Sequence, residues 1–215
     1  MSKKILIIVS NTKVIGPKNR KTGVFLPEAA HPYGEFDAVG YEIDFASITG
    51  EVPALDGMDG KDEPENAKFL QGAGWEKMQN NHKLADLDVS VYDAIFVAGG
   101  LAPMVDLAEN PLLKKVIAET YERGAVVGAV CHGPVALLNV KLSDGTFLVK
   151  DKDITSFTNE EVRNTLSPTC FNFSSRGKVI APFQVAVGRS PAYNQLFIHP
   201  ISTFLSPVLK KVTPA

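Results

Sequence analysis

Five short apolar segments, at residues 5–9, 41–46, 94–98, 125–130 and 178–181, constrain the fold of this 215-residue chain more than any other feature. Most are continuous runs of Val, Ile, Leu and Ala rather than alternating ones, the pattern of parallel strands covered on both faces. Segments of helical character lie between them. The clearest is 110–123: Asn110 suits the cap, Pro111 the first helical position and Gly124 the stop. Leu112, Leu113, Val116 and Ile117 recur at helical spacing, with Lys114, Lys115, Glu119 and Glu122 turned elsewhere. Alternating strands and helices predict a doubly wound, mostly parallel α/β sheet flanked by helices. We read residues 1–215 as a single domain, with an insertion at 49–88 that leaves the sheet and covers one end of it.

Charge and cysteine content narrow the function classes. With 22 Lys and Arg against 24 Asp and Glu, the net charge is −2 and no basic run appears, so neither nucleic acid nor an anionic membrane surface is an expected partner. Two cysteines, Cys131 and Cys170, are too few to staple a secreted fold. A reduced, cytoplasmic setting is the expectation. The apolar run at 5–9 is too short for a secretion signal, and nothing approaches the roughly 20 apolar residues of a membrane span. Residues 56–62 are acidic and glycine-rich but lack a helix–loop–helix frame, which makes them a surface loop rather than a calcium site. His and Cys do not cluster at ligand spacing, and no G-x-G-x-x-G follows the first strand. No metal or other cofactor is expected.

The segment Ala125-Val126-Val127-Gly128-Ala129-Val130-Cys131-His132-Gly133-Pro134 carries the chemistry. An apolar strand stops at Cys131, and a helix is expected from Pro134. Ala129 and Gly133, two residues to either side of the cysteine, are small, as a nucleophile elbow requires where the chain turns tightly. Such a turn lifts the sulfur above the carboxyl edge of the sheet, where open α/β sheets place their ligands. A helix N-terminus favours thiolate over thiol, and the His132 amide would face a developing oxyanion. Free cysteines are commonly plain core residues, and that reading stands for Cys170.

These residues resemble the nucleophile motif of the DJ-1/PfpI superfamily, particularly its heat-shock-protein-31-like branch. Three further motifs match in the same order: Lys21-Thr22-Gly23-Val24-Phe25-Leu26-Pro27-Glu28-Ala29-Ala30-His31-Pro32-Tyr33, Asp93-Ala94-Ile95-Phe96-Val97-Ala98-Gly99-Gly100, and Ile154-Thr155-Ser156-Phe157-Thr158-Asn159-Glu160-Glu161. The resemblance implies a flavodoxin-like, class I glutamine amidotransferase-like sandwich. It implies a buried Glu28 beside Cys131, and His132 as general base oriented by Glu160 or Glu161. Backbone amides of Gly99, Gly100 and His132 would form the oxyanion hole. His31 is read either as a pocket residue or as a structural one. Relatives are commonly homodimers, so a homodimer is implied.

Two departures from the family pattern stand out. Gly99-Gly100-Leu101-Ala102 replaces the branch's G-G-H-G, which removes a polar pocket group and restricts the loop. From residue 162 onward the family pattern is largely lost, returning only at 177–183, and no acidic residue occurs in 185–215. A shifted reading frame or a divergent tail produces such a change. The resemblance implies a cofactor-independent glyoxalase that converts methylglyoxal, a small-molecule aldehyde, to lactate through a cysteine hemithioacetal. A non-enzymatic role of the same family, as a stress-responsive chaperone or a cysteine redox sensor, is the alternative.

Overall fold

The computed structural model describes residues 2–150 and the backbone of Gln184–Val187. Its central sheet has six strands: β1 (Lys4–Ile8), β2 (Glu42–Ser47), β3 (His82–Lys83), β4 (Ala94–Val97), β5 (Val126–Val130) and β6 (Gln184–Val187). Their order across the sheet is β6-β5-β4-β1-β2-β3. All neighbours run parallel except β6, which pairs antiparallel with β5. The mostly parallel α/β sheet expected from the apolar runs is therefore observed. The expected strand at 178–181 lies outside the described residues.

Both faces of the central strands β1, β4 and β5 are buried, which is why these read as unbroken apolar runs. Alternate residues of β1 and the position after it supply the two cores. Ile5, Ile7 and Val9 pack with Phe36, Phe45, Phe69 and Met78 on the side covered by α1 (Leu26–Ala38), α2 (Pro64–Gln71) and α3 (Ala73–Gln79). Leu6 and Ile8 join Leu113, Val116, Ile117 and Tyr121 on the side covered by α4 (Pro103–Asp106) and α5 (Pro111–Glu122).

Helix α5 forms where capping and spacing place it. The Asn110 side chain accepts a hydrogen bond from the Leu113 amide at 3.0 Å, and Gly124 adopts φ +84° just past the helix. Asn110→Ala leaves that amide without its cap and is expected to cost about 1 kcal/mol, read as a lower urea midpoint with an unchanged m-value.

The 49–88 segment needs correction. It leaves the central sheet after Ser47 as expected but does not stay outside it: His82 and Lys83 return as edge strand β3, paired with Ala46 and Ser47. Leu55 and Asp56 also pair in parallel with Val24 and Phe25. Two-residue pairings carry no apolar period, so the sequence holds no signal for them. The helix expected from Pro134 is a five-residue 3-10 helix, Gly133–Leu137. It stops because Leu138 is extended and Asn139 takes φ +58°, turning the chain toward the Val140–Leu148 hydrogen bond.

Candidate active site

The chain runs from β1 and α1 to β2 on one side of the sheet, then crosses to β4 on the other. Ligands bind at such reversals, above the carboxyl ends of the strands. Three loops meet there. Glu28 sits in the first turn of α1, Gly99 and Gly100 follow β4, and Cys131 follows β5.

Cys131 has φ +57°, a left-handed conformation that costs an L-residue roughly 1–2 kcal/mol. The small residues around it make that turn possible. A methyl group built on Gly133 would fall 2.5 Å from the Val97 carbonyl, so only glycine lets the elbow lie against β4. Ala129 is fully buried beneath it. The strained cysteine between close-packed small residues is the geometry of a nucleophile elbow.

Glu28 is buried, and its Oε2 has no hydrogen-bond partner of proper geometry. A methyl built on Gly99 would lie within 2.7 Å of Glu28 Oε2, the Val130 carbonyl and Cys131 Cβ, which shows how closely these groups converge. Burial raises the Glu28 pKa from 4.5 to about 7, although the Cys131 thiol and the amides of Gly99 and Gly100 pull the other way. Burial is also the first cause holding Cys131 up at about 12, and the neighbouring Glu28 charge is the second. The Gly100 and His132 amides oppose this by favouring the thiolate. The helix expected after Cys131 is only a five-residue 3-10 helix, so little helix field reaches the sulfur, while burial pushes the thiol up. When Glu28 takes a proton, its charge no longer opposes thiolate formation. The two groups act as one proton-holding pair.

His132 completes the cluster. Its Nδ1 lies 3.2 Å from Cys131 Sγ, so the adjacent imidazole does reach the sulfur. Burial lowers its pKa, which keeps the ring neutral and able to accept a proton. Glu160 and Glu161, the two acids expected to orient it, lie outside the described residues, as do Cys170 and His199.

The raised pKa of Glu28 has a stability consequence. Between pH 4.5 and about 7 the unfolded chain gives up a proton that the folded chain keeps. The stabilisation is thus fully present below 4.5 and lost as pH rises through about 7. Glu28→Gln has no such loss. Its stability relative to wild type is expected to improve by about 3 kcal/mol between pH 5 and pH 8, measured by urea unfolding at both values.

The other two described histidines sit elsewhere. His31 is part of α1, not of a loop, and lines a separate cavity of about 670 Å³ between α1 and α2, away from Cys131. His82 is exposed on β3. Among the described residues no group of three or more His, Cys, Asp or Glu could hold a metal ion, and no helix is long and apolar enough to cross a membrane. Gly23 was visible only as part of a motif. Its carbonyl abuts Gly100, which takes φ +92°, so the two glycines bring the loop before α1 down onto the loop after β4.

The DJ-1/PfpI family model matches residues 22–176, which include Glu28, both glycines after β4 and the elbow. The chain belongs to the DJ-1/PfpI family. Within it, the chain is 35% identical over 170 residues to glyoxalase 3 of Candida albicans, covering 74% of this chain and 70% of that protein. It is 33% identical over 169 residues to the glutathione-independent glyoxalase HSP31 of Saccharomyces cerevisiae, covering 73% and 68%. The crystal structure of glyoxalase III from Candida albicans superposes with a TM-score of 0.67 at 33% identity, over 78% of this chain and 72% of that one. The DJ-1/PfpI assignment agrees with the resemblance carried by the four sequence motifs and with the parallel sheet.

Proposed function

We propose that this protein is a glutathione-independent glyoxalase that converts methylglyoxal and water to lactate. The observation that carries the reading is the convergence of three groups: a cysteine strained onto an elbow, a buried carboxyl against it, and a neutral imidazole 3.2 Å from its sulfur. A relative named glyoxalase 3, at 35% identity, and one named glutathione-independent glyoxalase, at 33%, support the same chemistry.

Each group has a task that suits its protonation. His132 accepts the thiol proton through Nδ1 as Sγ adds to the aldehyde carbon, forming a carbon–sulfur bond. The amides of Gly100 and His132, already directed at the sulfur, face the oxyanion that forms on the aldehyde oxygen. The His132 imidazolium returns the proton to that oxygen, giving the hemithioacetal. Glu28 then removes the proton from the former aldehyde carbon and returns one to the adjacent ketone carbon, while the hydroxyl proton passes to the former ketone oxygen, leaving a lactoyl thioester. A pKa near 7 lets one carboxyl both take and give that proton. Water cleaves the thioester, releasing lactate and restoring the thiol. No oxidant, reductant or glutathione enters this balance.

A redox sensor calls for a low-pKa thiol, whereas burial pushes the Cys131 thiol up. Methylglyoxal loss and lactate formation are measured without glutathione from pH 5 to pH 9. Proton abstraction by the Glu28 carboxylate predicts a rate that climbs through about pH 7 and then levels. Lactate absent across that range would refute the assignment.

A further inference from the structure

The chain is mildly acidic overall, at −2, yet a wholly basic stretch leads into the active site. Residues 10–27 contain Lys13, Lys18, Arg20 and Lys21 and no acidic residue, so the rest of the chain carries −6. In the structure these four cations form one exposed antiparallel ribbon, with Val14 opposite Lys21 and Ile15 opposite Arg20. The turn runs through Gly16 at φ +72° and Asn19 at φ +50°. Lys13 has a long contact with Glu51 at 3.9 Å, and among the described residues no ion pair reaches Lys18, Arg20 or Lys21.

The ribbon leads directly into the site. The Thr22 amide closes its base on the Lys13 carbonyl, and the next residue is Gly23, whose carbonyl abuts Gly100. Two residues of extended chain span at most about 7 Å, so Lys21 stands close to the loop that faces Cys131 Sγ. Each strand of the ribbon is two residues long. That footprint suits one anionic group and not a track along a polymer.

We propose that this ribbon is an anion-recruiting edge of the Cys131 site, and that the aldehydes it favours are α-oxo aldehydes carrying a second, anionic group. The substrate class rests on the glyoxalase reading; the recruitment of anions to Cys131 does not. Unpaired like charges beside a cleft raise the local concentration of an oppositely charged reactant, by about 10-fold to 10³-fold at low salt.

Two measurements separate these statements. The first compares alkylation of Cys131 by iodoacetate, an anion, and iodoacetamide, its neutral counterpart, followed by mass spectrometry of the Cys131 peptide. The variant is Lys18→Glu with Arg20→Glu and Lys21→Glu. The neutral triple variant with Gln at these positions replaces it if circular dichroism shows misfolding. The iodoacetate-to-iodoacetamide rate ratio is expected to fall about 10-fold at low salt, with the difference closing near 1 M salt. A ratio that does not change, or a change insensitive to salt, overturns the proposal. The second compares 4,5-dioxopentanoate, a carboxylate-bearing α-oxo aldehyde, with methylglyoxal. The variant is expected to lose about 10-fold in kcat/KM for the anionic aldehyde and to keep its value for methylglyoxal. Equal effects on both overturn the substrate class. No turnover of either, with the alkylation ratio still shifted, refutes the glyoxalase reading and leaves the anion edge standing.

Discussion

Cys131→Ala is expected to lower kcat/KM for methylglyoxal by about 10³-fold or more, because its sulfur forms the bond to the aldehyde carbon and no other cysteine lies among the described residues. The loss should fall on turnover and not on folding. Alanine keeps the same Cβ on the same left-handed backbone, so the strain at φ +57° is unchanged. Only a partly buried sulfur is removed, at a stability cost of about 1 kcal/mol. Lactate assays and urea unfolding on the same preparation separate the two effects. A folded variant that still forms lactate would assign the chemistry to another group.

Gly99→Ala is the second large effect, and it reaches activity through packing. The added methyl would meet Glu28 Oε2, the Val130 carbonyl and Cys131 Cβ, all within 2.7 Å. Two of those three neighbours, the Val130 carbonyl and Cys131 Cβ, are held by the elbow itself, so only the Glu28 carboxyl end can give way. Overpacking of this kind costs about 1–3 kcal/mol. The relief that remains is for Glu28 to swing away from the sulfur, which separates the proton-holding pair. A reduced urea midpoint is expected together with a fall in kcat of about 10²-fold, the scale on which small displacements of catalytic groups act. The pH–rate profile gives the diagnostic readout: a displaced Glu28 loses the burial that raises its pKa, so the rise through about pH 7 should move downward.

Much of this was legible in the residues. Buried parallel strands must be apolar on both faces, so β1, β4 and β5 announced themselves as continuous runs, while β2 alternates at its start, with Glu42 and Asp44 beside Ile43 and Phe45. Asn110, Pro111 and Gly124 marked α5 because helix ends leave unpaired backbone groups that only certain residues satisfy or tolerate. Small residues flanking Cys131 announced the elbow, since nothing larger than Gly133 clears the Val97 carbonyl. The 49–88 segment was misread for the opposite reason: two-residue strands obey the geometry of their neighbours, not a period of their own. The basic ribbon escaped notice because four cations spread over residues 13–21 make no run until the turn at Gly16 to Asn19 folds them together.

The sequence by itself determined which chemistry is available: a cysteine at the end of a strand, a histidine beside it, and a glutamate in an apolar stretch before the second strand. Local sterics and hydrophobic burial govern those features, and both are written in neighbouring residues. Only the tertiary structure decided how the groups are charged. A pKa depends on what surrounds a group in space, and Glu28 meets Cys131 across 103 residues of chain. Their mutual burial holds the carboxyl near 7 and the thiol near 12, where the residues alone suggested a thiolate poised by a helix. The fold turned three ordinary side chains into a proton-sharing site by removing water from around them.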